Sequence, residues 1–354
     1  MSIVLGERHF PFNVALEITR ACNLRCQHCG TAADGRNRSA PLSVDEWKKV
    51  IDDLRRLCAR HITFSGGEPF LHKHWRELLQ YMCAPRDGTI VSIISNGTVV
   101  NEDDVIFMKR QGLSHLVVSI DGDAEVHDTV RCSPGAFDKT MNTVALCRKH
   151  DLAIGVVTAL NRLNFDIRER IRDLVLDAGV DMWQVQIVNA FGRAGAPERQ
   201  MTLGAEQYDR LIEDVTLWRN QPSGRTNIVS ADSLGYCDAC TDALFDGAEW
   251  YGCSAGLYNV GIEANGDVKG CLSLQDPSFV TDNVRNRSLV DIWFDPKSFA
   301  YTRQYDVDAM TGRCGDCDSK ERCRAGCLAT AYSVTGATTE APYCYSGGSR
   351  SVCS

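Results

Sequence analysis

Apolar and polar residues recur along the first two thirds of the chain with two different periods. Short runs rich in β-branched residues, Val14–Thr19, His61–Ser65, Ile90–Ser95, His115–Asp121, Ala153–Leu160 and Met182–Val188, predict strands. Between them, and once after the sixth, apolar residues return every three or four positions. This predicts amphipathic helices at about 43–58, 72–83, 102–111, 136–149, 165–178 and 205–219. Ser43-Val44-Asp45-Glu46 is a capping box, in which hydroxyl and carboxylate each satisfy an orphan amide. Asn101 and Asn164 suit N-caps, and Gly112 and Gly179 suit left-handed C-caps. Six successive strand–helix units predict a parallel sheet with helices outside. Right-handed crossovers would curl it into a barrel or an open part of one. Six units fall short of the eight of a closed barrel. Periodicity alone leaves a doubly wound sheet open, and in either fold chemistry belongs at the C-terminal strand ends.

After Gln221-Pro222-Ser223-Gly224 the alternation stops and a short, loop-rich, cysteine-dense region follows. The expected organisation is a strand–helix domain at 1–220, a bridge at 221–250 and a cysteine-rich domain at 251–354. The 354 residues are 44% hydrophobic and 24% charged, enough for a packed core, with a formal net charge of −8. No basic block stands out, so nucleic acid and anionic membrane surfaces are not expected partners. No segment approaches the ~20 apolar residues that span a bilayer. Met1 to Phe10 has no signal-peptide core. A cytoplasmic protein is expected.

Seventeen cysteines is a high count. In a long chain without an export signal, short spacings point to metal rather than disulfides. Cys22, Cys26 and Cys29 follow the first strand as Cys-x3-Cys-x2-Cys. Thiolate is the ligand that iron–sulfur clusters use, and three thiolates hold three irons of four, leaving one open to nitrogen and oxygen donors. The bland alternatives are a zinc knuckle or buried thiols. The second strand ends in Ser65-Gly66-Gly67-Glu68-Pro69, where two glycines let backbone approach a ligand, Glu68 supplies a carboxylate and Pro69 fixes the turn. The next two strand ends carry Ser95-Asn96-Gly97-Thr98 and Ser119-Ile120-Asp121-Gly122, short hydrogen-bonding side chains suited to a ribose and an amino acid. Further on stand Cys253, then Gly266 and Cys271, then Cys314-x2-Cys317-x5-Cys323-x3-Cys327, and Cys344.

The cysteine triplet and the Gly-Gly-Glu turn resemble those of the radical S-adenosylmethionine (SAM) superfamily. The seven later cysteines resemble its SPASM extension. The resemblance runs from about Val14 to Cys344 and implies an open (β/α)6 TIM-type barrel followed by a small iron–sulfur domain. It implies an oxidoreductase with three 4Fe–4S clusters and SAM, reduced by a flavodoxin- or ferredoxin-type donor. In the family the open iron chelates SAM, which one electron cleaves to methionine and a 5′-deoxyadenosyl radical that takes hydrogen from an unactivated C–H. Carried over, Cys22, Cys26 and Cys29 hold the SAM-binding cluster. Cys314, Cys317, Cys323 and Cys344 hold an outer cluster, and Cys253, Cys271 and Cys327 an inner one. SAM contacts are implied for Gly66, Gly67, Glu68, Pro69, Ser95, Asn96, Ser119, Asp121 and Arg131.

Glu125-Val126-His127-Asp128-Thr129-Val130-Arg131 resembles a stretch of the peptide-modifying branch, in which Arg131 would clamp the SAM carboxylate bidentately. Residues 254–270 lack the fourth inner-cluster cysteine of some relatives. Either one iron is open or Cys237 or Cys240 reaches it. Where sulfatase-maturing relatives carry an aspartate base, this chain has Leu272. Gln184 and Gln186 are expected to face the barrel interior, and Phe191-Gly192-Arg193-Ala194 to form a loop near the substrate mouth. The expected reaction is oxidative modification or cross-linking of a peptide natural-product precursor. Alternatives are dehydrogenation or epimerisation of a small molecule such as an aminosugar or cyclitol, or a non-catalytic iron–sulfur electron-transfer or zinc-binding protein. For epimerisation, Cys132 is the hydrogen donor best placed by sequence.

Overall fold

The computed structural model describes residues 9–35, 39–231, 234, 244 and 251–344. Six parallel strands follow the expected order: β1 (Asn13–Thr19), β2 (His61–Gly66), β3 (Ile90–Ser95), β4 (His115–Ser119), β5 (Ile154–Leu160) and β6 (Met182–Ile187). The crossovers run through α1 (Val44–Arg56), α2 (Trp75–Cys83), α3 (Glu102–Gln111), the pair α4 (Ala124–Arg131) and α5 (Ala136–Lys149), and α6 (Arg168–Asp177). A seventh helix, α7 (Ala205–Asn220), leads to a further parallel strand, β7 (Asn227–Ser230), inside the stretch expected as a bridge.

The cysteine-rich region is not a separate sheet. Its strand β8 (Asn259–Ile262) pairs parallel with β1, followed by antiparallel β9 (Asp267–Lys269) and β10 (Asp282–Asn283). The strand order β10-β9-β8-β1-β2-β3-β4-β5-β6-β7 is open at both edges. Alternation explains how this sheet sorts its faces. Leu16, Ile18, Val260 and Ile262 join the core under the helices, where Trp47, Val50, Ile51 and Leu54 of α1 form one buried stripe. Each such side chain contributes roughly 1.5–3 kcal/mol on burial.

Local signals behave as expected at most ends. Ser43 and Glu46 close their capping box, Asn101 caps α3 with Asp104, and Gly112 ends α3 at φ 87°. Gly179 follows α6 at φ 62°. Asn164 differs: its side chain accepts from the Asn161 amide and donates to the carbonyls of Asp121 and Ala159, bracing the ends of β4 and β5 instead of capping a helix. Among the described residues no helix is long and apolar enough to cross a membrane.

Candidate active site

The chain leaves β1 at the C-terminal face and enters the cysteine triplet. Cys22, Cys26 and Cys29 line a cavity of about 250 Å³ together with Gly66, Gly67, Ser95, Asn96, Ser119 and Arg131. The three thiols lie near enough that ionising one opposes ionising the next, and burial pushes both Cys22 and Cys26 up. Two donors nonetheless reach the sulfurs: the Leu24 amide to Cys22 Sγ at 3.5 Å and Arg131 Nη1 to Cys26 Sγ at 3.8 Å.

The Gly-Gly-Glu turn serves this loop by direct packing. The Gly67 amide donates to the Thr19 carbonyl at 2.7 Å and the Glu68 amide to that of Ala21 at 2.8 Å. A β-carbon on Gly67 would stand 2.3 Å from the Ala21 oxygen, and one on Gly66, at φ +153°, 2.4 Å from the Thr19 oxygen. The glycines are therefore required for close approach to the exit of β1, where the sequence suggested approach to a ligand. Pro69 is buried and opens a short 3-10 turn, Pro69–Leu71. Gly67→Ala is expected to displace the triplet and lose about a third of the iron of the reconstituted protein; full iron content with normal SAM cleavage would contradict this.

Several expected SAM contacts are already engaged within the protein. The Glu68 carboxylate is fully buried and accepts from Ser95 Oγ and the Asn96 amide, both at 2.8 Å, and from the Phe70 amide at 3.3 Å. Burial pushes it up to about 7 although those donors favour its charged form. Its side chain ties β2 to β3 rather than facing the cavity. Ser95 Oγ also accepts from the Gly97 amide, and the Asn96 side chain bonds Asn23 and Thr98. Among the described residues Ser119 makes no side-chain hydrogen bond, so its hydroxyl remains available to a ligand of the cavity it lines.

Asp121 organises the far wall. It is fully buried, and its Oδ2 pairs with Arg131 Nη2 at 2.6 Å and lies 3.6 Å from His28 Nε2. Its Oδ1 accepts from the Ala159 amide at 3.0 Å, and its own amide donates to His127 Nδ1 at 3.2 Å. Burial would raise the Asp121 carboxyl, yet the Arg131 guanidinium holds it below the usual carboxylate range. Burial lowers both His28 and His127 to about 4, so both rings are neutral. Arg131 thus turns Nη2 to Asp121 and Nη1 to Cys26, and its buried Nε has no hydrogen-bond partner among the described residues. The other cation of the cavity, Arg193, donates through Nε to the Cys26 carbonyl at 2.8 Å and through Nη1 to that of Ala33 at 3.4 Å. Its amide donates to the Cys29 carbonyl, and Gly192, at φ +54°, packs where a β-carbon would be 2.2 Å from the Gly30 oxygen. The Phe191–Ala194 loop therefore clamps the triplet. Gln186 lines the cavity and accepts from Gln184 Nε2 at 3.1 Å, both on the interior face of β6.

Cys132 lies elsewhere. It is exposed at the left-handed end of α4, φ 52°, with Sγ donating to the Thr129 carbonyl, and it does not line the cavity. The turn that ends α4 carries it to the surface, so it is not placed to return a hydrogen atom. Cys237 and Cys240 lie outside the described residues.

The seven cysteines from Cys253 to Cys344 fall into two groups. Cys253 interacts electrostatically with Cys327 and Cys271, and all three pack around Ala255 and Leu328. Cys323 interacts likewise with Cys344, Cys314 and Cys317, and burial pushes it up to about 12. Among the described residues no three His, Cys, Asp or Glu side chains are placed to hold a single metal ion. A four-iron cluster asks something different: each thiolate binds its own iron, so thiols surround a volume instead of converging on a point. Three sets of clustered thiols, one beside an open cavity, fit that donor set. His28 stands inside the triplet and His127 inside the 125–131 stretch, but nothing local reveals that both rings pack on Asp121.

A model of the radical SAM superfamily matches residues 16–175, and one of the SPASM iron-sulfur cluster-binding domain matches residues 253–318. The chain belongs to the radical SAM superfamily, in its SPASM branch. This radical SAM enzyme therefore uses 4Fe–4S clusters and SAM. It is 28% identical over 351 residues to the AdoMet-dependent heme synthase of Methanosarcina barkeri, covering 94% of this chain and 96% of that relative. A protein of the same name from Nitratidesulfovibrio vulgaris is 28% identical over 343 residues, covering 94% of this chain and 91% of the relative. Among solved structures, Streptococcus suis SuiB bound to the precursor peptide SuiA superposes with TM-score 0.74 at 16% identity, over 96% of this chain and 76% of that one. Native anSMEcpe with bound AdoMet gives TM-score 0.73 at 16% identity, over 95% and 94%. At these identities the solved structures speak for the radical SAM/SPASM fold.

Proposed function

We propose that the enzyme oxidises a peptide substrate, by modification or cross-linking, after abstraction of a hydrogen atom from an unactivated carbon. Cys22, Cys26 and Cys29 would hold the SAM-binding cluster. Cys253, Cys271 and Cys327 would hold the inner auxiliary cluster, and Cys314, Cys317, Cys323 and Cys344 the outer one. When bound, these groups supply reductive SAM cleavage and sites that accept an electron, fed by a flavodoxin- or ferredoxin-type donor. The chain's own part is positioning. Arg131 and the Leu24 amide donate to the triplet's sulfurs, Arg193 and the Gly66–Gly67 turn hold the loop, and Ser119 offers a hydroxyl to the bound ligand.

The observation that carries the peptide reading is the state of the cavity's cations. Arg131 and Arg193 are both engaged, one with Asp121 and Cys26, the other with backbone carbonyls. The wall also carries the neutral amide of Gln186, backed by Gln184, and an amide matches peptide groups as donor and acceptor. The precursor peptide bound to SuiB agrees with this choice. A second reading, a tetrapyrrole substrate, is favoured by the near full-length match to proteins named heme synthase.

One assay separates the two. Reduced, reconstituted enzyme with SAM is incubated with peptides encoded by short reading frames beside its gene, or with an iron porphyrin bearing carboxyl side chains. The expected result is a peptide product lighter by two hydrogens, with matching 5′-deoxyadenosine. Unchanged peptides and an altered porphyrin would establish the second reading.

A further inference from the structure

Beside the cofactor cavity the barrel wall carries three charges that the site described above does not use. Glu17 lies on β1, Glu263 directly follows β8 and Lys269 ends β9, three adjacent strands. Leu16 pairs with Ile262, and Gly261 with Lys269. Side chains alternate along a strand and laterally paired residues share a face, so the three side chains lie on one face. It is the interior face, since Leu16, Ile18, Val260 and Ile262 point to the helical core. Lys269 is 0% exposed, Glu17 3% and Glu263 7%. Lys269 Nζ lies 2.5 Å from Glu263 Oε1 and has no other polar partner among the described residues.

On its other side Glu17 pairs in register with Ser65, which lines the cavity. A polar row, Ser65–Glu17–Glu263–Lys269, thus crosses β2, β1, β8 and β9. It runs from the triplet's cavity to the strand that delivers Cys271. The side chain next after Cys271, Leu272, packs against Gly261 and takes no proton. Buried ion pairs stabilise a fold little more than apolar packing of the same volume. Three buried charges beside a reaction chamber therefore call for a chemical use.

We propose that Glu17, seated beside the Glu263–Lys269 ion pair and reached past Ser65, accepts the proton that the substrate releases during oxidation. The inference rests on the oxidative reading above. After hydrogen-atom abstraction the substrate is a carbon radical bearing an adjacent X–H, where X is nitrogen, oxygen or sulfur. The X–H bond breaks and a C=X double bond forms. The proton goes to the Glu17 carboxylate and one electron to an oxidised auxiliary 4Fe–4S cluster, so charge and electrons balance. Burial pushes the Glu17 carboxyl up to about 7, Arg20 opposes that, Glu263 adds to it, and the Ala264 amide and Lys269 oppose it. These are the charged groups that face it, and they leave it able to take and return a proton near neutral pH.

Two measurements on the whole, cluster-loaded chain test this. Infrared titration with isotope-labelled glutamate is expected to show protonated-carboxyl absorption that vanishes around pH 7, to which Glu17 and Glu68 both contribute and from which Glu17→Gln removes the Glu17 share. Glu263→Gln should move its midpoint down, because a like charge is removed. With whichever substrate changes mass in the assay above, Glu17→Gln should form 5′-deoxyadenosine at the wild-type rate with unchanged iron content. It should yield product about 10²-fold more slowly, with Glu17→Asp in between. Absorption that Glu17→Gln leaves at full amplitude, or unchanged product per 5′-deoxyadenosine, overturns the role of Glu17 alone. Absence of oxidation with every substrate overturns the reading on which it rests.

Discussion

Replacing Cys22, Cys26 and Cys29 together by alanine will abolish 5′-deoxyadenosine formation while leaving about two thirds of the iron in place. With three four-iron clusters, the reconstituted protein should carry about twelve irons, and the variant about eight. The selectivity follows from geometry. The triplet sits in the loop after β1 and lines the cavity, whereas Cys253, Cys271 and Cys327 pack around Ala255 and Leu328. Cys314, Cys317, Cys323 and Cys344 form a set of their own. The converse variant, Cys314→Ala with Cys323→Ala, should lose about four irons and keep SAM cleavage. Iron and sulfide analysis beside chromatography of 5′-deoxyadenosine reads both. Stoichiometric zinc without sulfide, or simultaneous loss of all iron from either variant, would defeat the assignment of three separate clusters.

Arg131→Met will destabilise the protein by about 3–5 kcal/mol, because it leaves the Asp121 carboxylate buried without its partner. The depressed Asp121 carboxyl stabilises the fold above its unfolded value and ceases to do so as pH falls through its folded value. Without Arg131 that contribution is gone, so the variant should differ from wild type most at neutral pH and least in strong acid. Adding Asp121→Asn removes the stranded charge and should restore much of the lost stability, a coupling that a double-mutant cycle measures. It should not restore a second property. Arg131 donates to Cys26 Sγ, and hydrogen bonds and positive charge at cluster sulfurs raise the reduction potential. Both variants should therefore hold a SAM-binding cluster that is harder to reduce, read by redox titration followed by electron paramagnetic resonance. An unchanged potential in Arg131→Met would mean that its guanidinium acts only on Asp121.

The partners of Arg131 lie beyond what short-range spacing sets. Its position just past the fourth strand is visible in the sequence, and so is a charge suited to a carboxylate. Which carboxylate it meets depends on how α4 folds back over β4, which brings Asp121, ten residues earlier, within 2.6 Å. Glu68 follows the same logic. The Gly66–Pro69 turn is plain in the sequence, but its side chain turns into the sheet to meet Ser95 and the Asn96 amide. Counting along the chain puts Cys132 near the active face, but its own left-handed backbone carries it out to the surface.

What the sequence determined by itself is everything set by short-range spacing. The two hydrophobic periods specify six strands and the helices between them except α4, because burying one face of an element constrains residues two or three to four apart. The cysteine triplet follows from spacing, and the division of the seven later cysteines is what the family resemblance implies. Tertiary structure alone decided what depends on lateral register between distant strands. β8 pairs with β1 across about 246 residues of chain, as in Asn13 with Asn259, and so extends the barrel sheet into the cysteine-rich region. That pairing sets Glu17 beside Glu263 and brings in Lys269, three charges that look in the sequence like unrelated strand residues. No periodicity within a strand encodes its neighbour. The neighbour is selected by how the whole sheet buries its apolar face, and the reactive face receives what that packing leaves inside.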